Sequence, residues 1–313
     1  MEKYTLVSLV VLGSWACCDD GSDLAPCHSR GGCVCGPADP ICEVSADGDF
    51  RIDIAVAGDI SPEIRSILTN ASVVAASRWE RHLGDDQPAV DFGGAYPAIP
   101  EGKCFSGSPE ISSPVDDILM LVRIADLDGE GGVQGTASHC VGRLDGSHVA
   151  VVGVVSVDSA DWPALIESGS LVGLITHEIG HLLGLFGAAT AMDMVDRTLG
   201  GGIAYFKGEN AQAAYESVGG IGPVPFQSME NLHWNEMALG DEVMTARLNR
   251  IPDGSQLSVV TLSAMIDLGW KKVNLDGADL LLVDPEKARA ISPEGFRELM
   301  DDGPVTGQPI TYR

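Results

Sequence analysis

Residues 174–184 read Leu-Ile-Thr-His-Glu-Ile-Gly-His-Leu-Leu-Gly, and no other stretch of the chain constrains its fold as much. Apolar residues at Leu171, Leu174, Ile175 and Leu182 recur at helical spacing, and Gly184 marks where the helix ends. On such a helix His177 and His181 project from one side, one turn above the other. Their imidazoles can then share one zinc ion at about 2.0–2.1 Å each. Glu178 lies about 100° further round the axis, where it can take a proton from water without binding the metal. The opposing apolar side anchors the helix in a core and so fixes the ligands. The competing reading, an amphipathic helix with two satisfied histidines, accounts for none of the other features described below.

A catalytic zinc needs a third protein ligand and one open position. In the metzincin superfamily the motif continues as His-Glu-x-x-His-x-x-Gly-x-x-His. Gly184 fits that pattern, but the third-ligand position is Gly187, which has no side chain to offer. Residues 233–245, beginning 52 positions after His181, read His-Trp-Asn-Glu-Met-Ala-Leu-Gly-Asp-Glu-Val-Met-Thr. This segment resembles the leishmanolysin family, metzincins whose third histidine is displaced by a long insertion and followed by a methionine turn. The resemblance implies His233 as third ligand and Met244 as the methionine beneath the metal. Residues 261–270 are similar to the helix that family places after its turn, and Arg78-Trp79-Glu80 and residues 126–135 are similar to its exported bacterial members. The likeness covers roughly residues 50–274. It implies an α+β fold: a mixed twisted sheet, an active-site helix, and an irregular C-terminal subdomain bearing His233 and Met244. The implied activity is that of a zinc endopeptidase acting on proteins or peptides, with Glu178 as general base.

The pattern along the chain agrees with that class. Phe50, Ile52, Ile54 and Val56 alternate as in a half-buried strand, and residues 62–82 carry apolar residues at helical spacing. Apolar runs at 116–125 and 149–157 suit central strands. A helix is expected over 165–183, an irregular Gly-rich stretch to about 230, and another helix over 261–268. The organisation read from these patterns is a signal at 1–16, a cysteine-rich linker at 17–47, catalytic subdomains at 48–184 and 185–274, and an acidic tail at 275–313.

Lys3, the apolar run 6–12 and the small residues Ser14 and Ala16 form an export signal. Cys17 follows directly, which leaves plain secretion and a lipid anchor on Cys17 both open. Either way the protein is expected outside the cell or on its surface. Six of the eight cysteines fall between Cys17 and Cys42, a span that disulfides would staple, while Cys104 and Cys140 form a candidate pair in the main domain. Lipidation of Cys17 would leave one clustered thiol unpaired, and by resemblance such a thiol could cap the zinc and hold the enzyme latent. A formal net charge of −26 without a basic run excludes nucleic acid as a partner. No transmembrane helix is expected. Residues 126–132 hold acids and glycines that suit either an exposed turn or a calcium loop. His28, His82, His139 and His148 read as surface residues. Two alternatives stand beside the leishmanolysin-like reading: a thermolysin-like site with Glu209 or Glu216 as third ligand, and an idle zinc-binding adhesion module.

Overall fold

A computed structural model describes residues 50–199, 202–230, 233–247 and 255–295. The export signal, Cys17, the cysteine-rich segment with His28, and the last part of the tail lie outside the described residues.

The fold is α+β. Strands β1 (Ile52–Val56), β4 (Ile118–Ala125), β5 (Gly135–Gly142) and β6 (Ala150–Asp158) make one sheet in the order β1-β4-β6-β5. The pairs β1·β4 and β4·β6 are parallel, and β5 returns antiparallel along β6, so the sheet is mixed. Strand β6 is buried at every position, as its unbroken apolar run requires, whereas β5 alternates partly buried and exposed residues along one edge of the sheet. Helix α1 (Pro62–Glu80) is capped by Ser61, whose hydroxyl accepts the Ile64 N–H, and Pro62 takes the first helical position.

The expected helix over 165–183 is two helices. Helix α2 (Trp162–Glu167) stops and α3 (Leu171–Leu182) begins anew, because Gly169 turns the chain with φ 72°. Ser168 helps end α2 by donating its hydroxyl to the Ala164 carbonyl. Helices α1 and α3 share one face of the sheet. Leu68, Ala75, Ala76 and Trp79 of α1 meet Leu174, Ile175, Ile179 and Leu182 of α3 over Ile54, Met120, Val122 and Val155. The Trp79 indole N–H donates to the Thr176 carbonyl, fixing α3 lengthwise against α1. Residues 171–191 are apolar and long enough to cross a membrane by composition, but most of this stretch is buried inside the fold.

The other face of the sheet carries a smaller core of Ala55, Leu119, Leu121, Val151 and Val154 beneath Phe92, Ile99, Ile111 and Val115. The covering loop includes the short ribbon β2 (Val90–Asp91) with β3 (Pro114–Val115). A disulfide between Cys104 and Cys140 ties this loop to β5 across a sequence separation of 36. Closing a loop of that size constrains the unfolded chain by about 4 kcal/mol. Replacing both cysteines with serine is therefore expected to lower unfolding free energy by about 4 kcal/mol, read from urea denaturation.

The stretch expected to be irregular holds α4 (Gly187–Ala191), the ribbon β7 (Val195–Asp196) with β8 (Tyr205–Phe206), and α5 (Glu209–Ser217). Beyond it come α6 (Glu236–Leu239), α7 (Val259–Asp267) and α8 (Pro285–Ala290). Residues placed in an acidic tail by the sequence pack onto this part. Asp279 accepts from Arg78 and from the Leu257 N–H, Val283 bonds Val218, and the Ile291 carbonyl accepts the Tyr205 hydroxyl. The apolar patch at 280–283 alternates accordingly, with Leu281 and Val283 buried and Leu280 and Leu282 exposed.

Candidate metal centre

Helix α3 presents His177 and His181 side by side, and the chain returns to them at His233. Their three Nε2 atoms form a triangle with each edge 3.1 Å. Among the described residues these side chains make one of two groups close enough to hold a single metal ion. The His177 Nδ1 lies 2.7 Å from the Val243 carbonyl, which can only accept, so Nδ1 carries the proton and Nε2 offers a lone pair. Burial pushes all three imidazoles below their ordinary pKa. Burial and the neighbouring His177 bring His233 to about 3. The three rings are therefore neutral at physiological pH, and lone pairs facing one another at 3.1 Å repel unless a cation lies between them. Tetrahedral bonds of 2.0–2.1 Å would set ligand nitrogens about 3.3 Å apart, close to what is observed. The donor set fits zinc.

Two glycines make this arrangement feasible. A Cβ on Gly180 would meet the Met244 sulfur at 2.5 Å and Trp79 at 3.1 Å, so α3 approaches the methionine segment only because that position is bare. Gly184 has φ 93° and a Cβ there would press on the Ser147 and His148 carbonyls, which is why the helix can turn away beneath the metal. Phe186 follows with φ 68°, a conformation costly for a residue with a side chain. Packing holds it there: Phe186 is buried edge-on against Phe226, Trp234, His181 and His233.

His233 is placed by its backbone and by Trp234. The His233 carbonyl accepts the Gln227 N–H at 2.7 Å, and the Trp234 N–H donates to the Met244 carbonyl. The Trp234 indole N–H donates to the Thr261 hydroxyl on α7. Thr261 in turn donates to Glu242, whose buried carboxylate also accepts the Ser258 hydroxyl and the Ser258 and Met244 N–H groups. Burial pushes Glu242 up to about 7 despite these donors. One carboxylate thus organises both approaches to the metal. On one side it holds Met244 next to the carbonyl that orients His177, and on the other it reaches Trp234 beside His233. Glu242→Ala would leave buried donors unmet, costing about 3 kcal/mol or more in stability. Loosened orientation of His177 should weaken metal binding at the triad about 10- to 100-fold, measured by competition with a chelating dye.

Glu178 is buried beside the triad without joining it. Burial holds its carboxyl up to about 8, and one oxygen lies against Gly135 on β5. The triad and Glu178 open on a cleft of about 1080 Å³ whose far wall is residues 131–137 of the β5 edge. His139 and His148, read from sequence as surface residues, are exposed but line this cleft, with Arg247 at its other side. His82, read the same way, is buried, with Nδ1 donating to the Asn274 carbonyl.

Glu209 and Glu216 lie elsewhere. Both are on α5, which packs on α7, and Glu216 lines a separate cavity with Leu199 and Pro223. Three carboxylates at the 126–132 loop accept backbone N–H groups: Asp158 those of Leu127, Asp128, Ala160 and Asp161, Asp161 that of Gly131, and Asp128 that of Val133. That loop is built as a hydrogen-bonded turn.

Phe186, Gly180 and Glu242 were not singled out by sequence. Gly180 had a signal, since it sits inside the motif on the helix side that faces the methionine turn. Phe186 and Glu242 act through partners dozens of residues away, and no local pattern marks them. No family model matches the chain, and comparison with curated proteins finds no relative.

Proposed function

We propose that this chain is an exported zinc endopeptidase of the leishmanolysin-like metzincin kind, hydrolysing peptide bonds with Glu178 as general base. The observation that carries the reading is three neutral histidine Nε2 atoms converging within 3.1 Å of one another, with a buried carboxylate beside them at the floor of an open cleft.

His177, His181 and His233 would hold the metal. Bound there, zinc would supply a Lewis acid that polarises the scissile carbonyl and makes a nearby water acidic. Glu178 takes the proton from that water and passes it to the departing amine nitrogen. Its position at the floor of the cleft, shielded from bulk water, lets the same carboxylate take and return that proton. The edge strand β5 offers unpaired backbone groups to an extended substrate, which would lie along the cleft as an added strand. Backbone recognition of that kind fits a peptide better than a small molecule. The Cys104–Cys140 disulfide supports an oxidising compartment, in keeping with export.

The test is hydrolysis of a quenched fluorescent casein by the zinc-loaded protein. Activity abolished by 1,10-phenanthroline and restored by stoichiometric zinc supports the reading. A zinc-loaded, folded protein that cleaves no casein or peptide library removes it and leaves a binding module.

A further inference from the structure

The charge lining the cleft runs against the charge of the chain. Asp and Glu outnumber Lys and Arg by 45 to 19 over the whole sequence. Among the described residues that line the cleft, Glu178 and Arg247 are the only two of these four types. Glu178 is buried beside the triad, whereas Arg247 is exposed. The rest of the lining is glycine, apolar, hydroxyl, amide and imidazole side chains.

The main chain of Arg247 is held in register with the histidine centre. Met244, which packs against Gly180 on α3, precedes it by three positions. Thr245 between them is buried, with Oγ1 donating to the Glu242 carbonyl at 2.8 Å and lying 3.3 Å from the Arg247 carbonyl. The Arg247 N–H donates to Glu236 Oε2 at 3.3 Å. The guanidinium is not spent in this way: among the described residues no hydrogen bond or ion pair engages it. Burial raises the Glu236 carboxyl and the Arg247 charge lowers it in part, yet the two side chains form no ion pair.

A guanidinium presents a planar fork of donors that matches a carboxylate. In a cleft such a pair is less screened by water than one on an open surface. The net charge of −26 repels an acidic peptide from afar, but at physiological salt that field decays over about 8 Å. Inside the cleft the charge open to a ligand is therefore that of Arg247. An extended peptide along the β5 edge turns alternate side chains to the same side, so a single position, not all of them, meets residues 245–247.

We propose that Arg247 sets specificity: the peptide bound in the cleft carries an aspartate or glutamate at the position facing residues 245–247, paired with the guanidinium. The cleavage preference rests on the peptidase reading of the same cleft; the ion pair does not.

The experiment uses the full, zinc-loaded chain and quenched fluorescent peptides that differ only in placing Glu, Gln or Lys at each position flanking the cleaved bond. At one position the Glu peptide is expected to have a kcat/KM about 5- to 50-fold above the Gln peptide, between the worth of an exposed ion pair and of a charge-assisted hydrogen bond. Lys should be lowest. Arg247→Met should remove that ratio, Arg247→Lys should keep part of it, and Arg247→Glu should turn it in favour of Lys. The ratio is diagnostic, because a residue that merely supported the fold would lower all rates alike. In Glu178→Gln protein, fluorescence anisotropy should give the Glu and Gln peptides the same order of affinity. A folded, zinc-loaded parent that cleaves none of the peptides removes the peptidase reading, and anisotropy then decides the ion pair by itself. Equal cleavage or equal binding of Glu and Gln peptides at every position, or a Glu preference undiminished in Arg247→Met, overturns the inference.

Discussion

Glu178→Gln protein is expected to carry one zinc per chain and to lose at least about 100-fold, and up to about 10⁴-fold, in kcat/KM, the range spanned by general acid–base groups. Retention of zinc follows from geometry. The Glu178 carboxylate lies outside the Nε2 triangle, turned toward Gly135 on β5, and glutamine fills the same volume there. The activity loss follows because the amide cannot accept the proton of the attacking water. A structural role would behave differently, since a merely stabilising residue lowers zinc occupancy and Tm together with rate. Metal analysis and a single-turnover assay on the same preparation separate the two. Activity within tenfold of the parent would move proton transfer to another group, and His139 and His148 are the histidines that line the cleft outside the triad.

What the sequence disclosed about this centre tracks the distance over which each contact acts. His177, Glu178 and His181 lie within one and a half turns of helix, so spacing alone places them. His233 is on another element, and periodicity gave it no privilege; only its likeness to a known arrangement of three separated segments singled it out. Glu242 and Phe186 have no local signature at all. Each is defined by groups that meet through the tertiary fold: Thr261 and Met244 for Glu242, Phe226 and Trp234 for Phe186. The same reasoning explains the misread helix. Apolar spacing runs evenly through 165–183, yet one left-handed glycine at 169 outweighs it, because a backbone turn is a local event that hydrophobic periodicity does not register. Edge strand β5 escaped notice for the opposite reason: with polar and small residues alternating and few apolar ones, it is specified mainly by pairing with β6.

His233→Ala should lose both zinc and activity while keeping its fold. Zinc sites of this kind bind with about 10–16 kcal/mol, so one ligand among four is worth about 3 kcal/mol, or more than 100-fold in affinity. Two histidines on α3 should then release zinc to a chelating dye at concentrations the parent withstands. The fold should survive because the backbone of this segment is anchored whatever the side chain at 233: the carbonyl bond to Gln227 remains in alanine, and Trp234 keeps its anchor on Thr261. Tm of the variant should no longer rise with added zinc, as linkage demands once the folded state has lost its preference for the metal. Should His233→Ala instead hold zinc as tightly as the parent, a glutamate would have to replace the histidine. Glu209 and Glu216 could reach the metal only if α5 left α7, breaking the bonds that Asp267 makes to the N–H groups of Asn210 and Ala211. Far-ultraviolet circular dichroism and proteolysis of the zinc-loaded variant would reveal such a rearrangement, so the two third-ligand assignments differ in structure as well as in metal content.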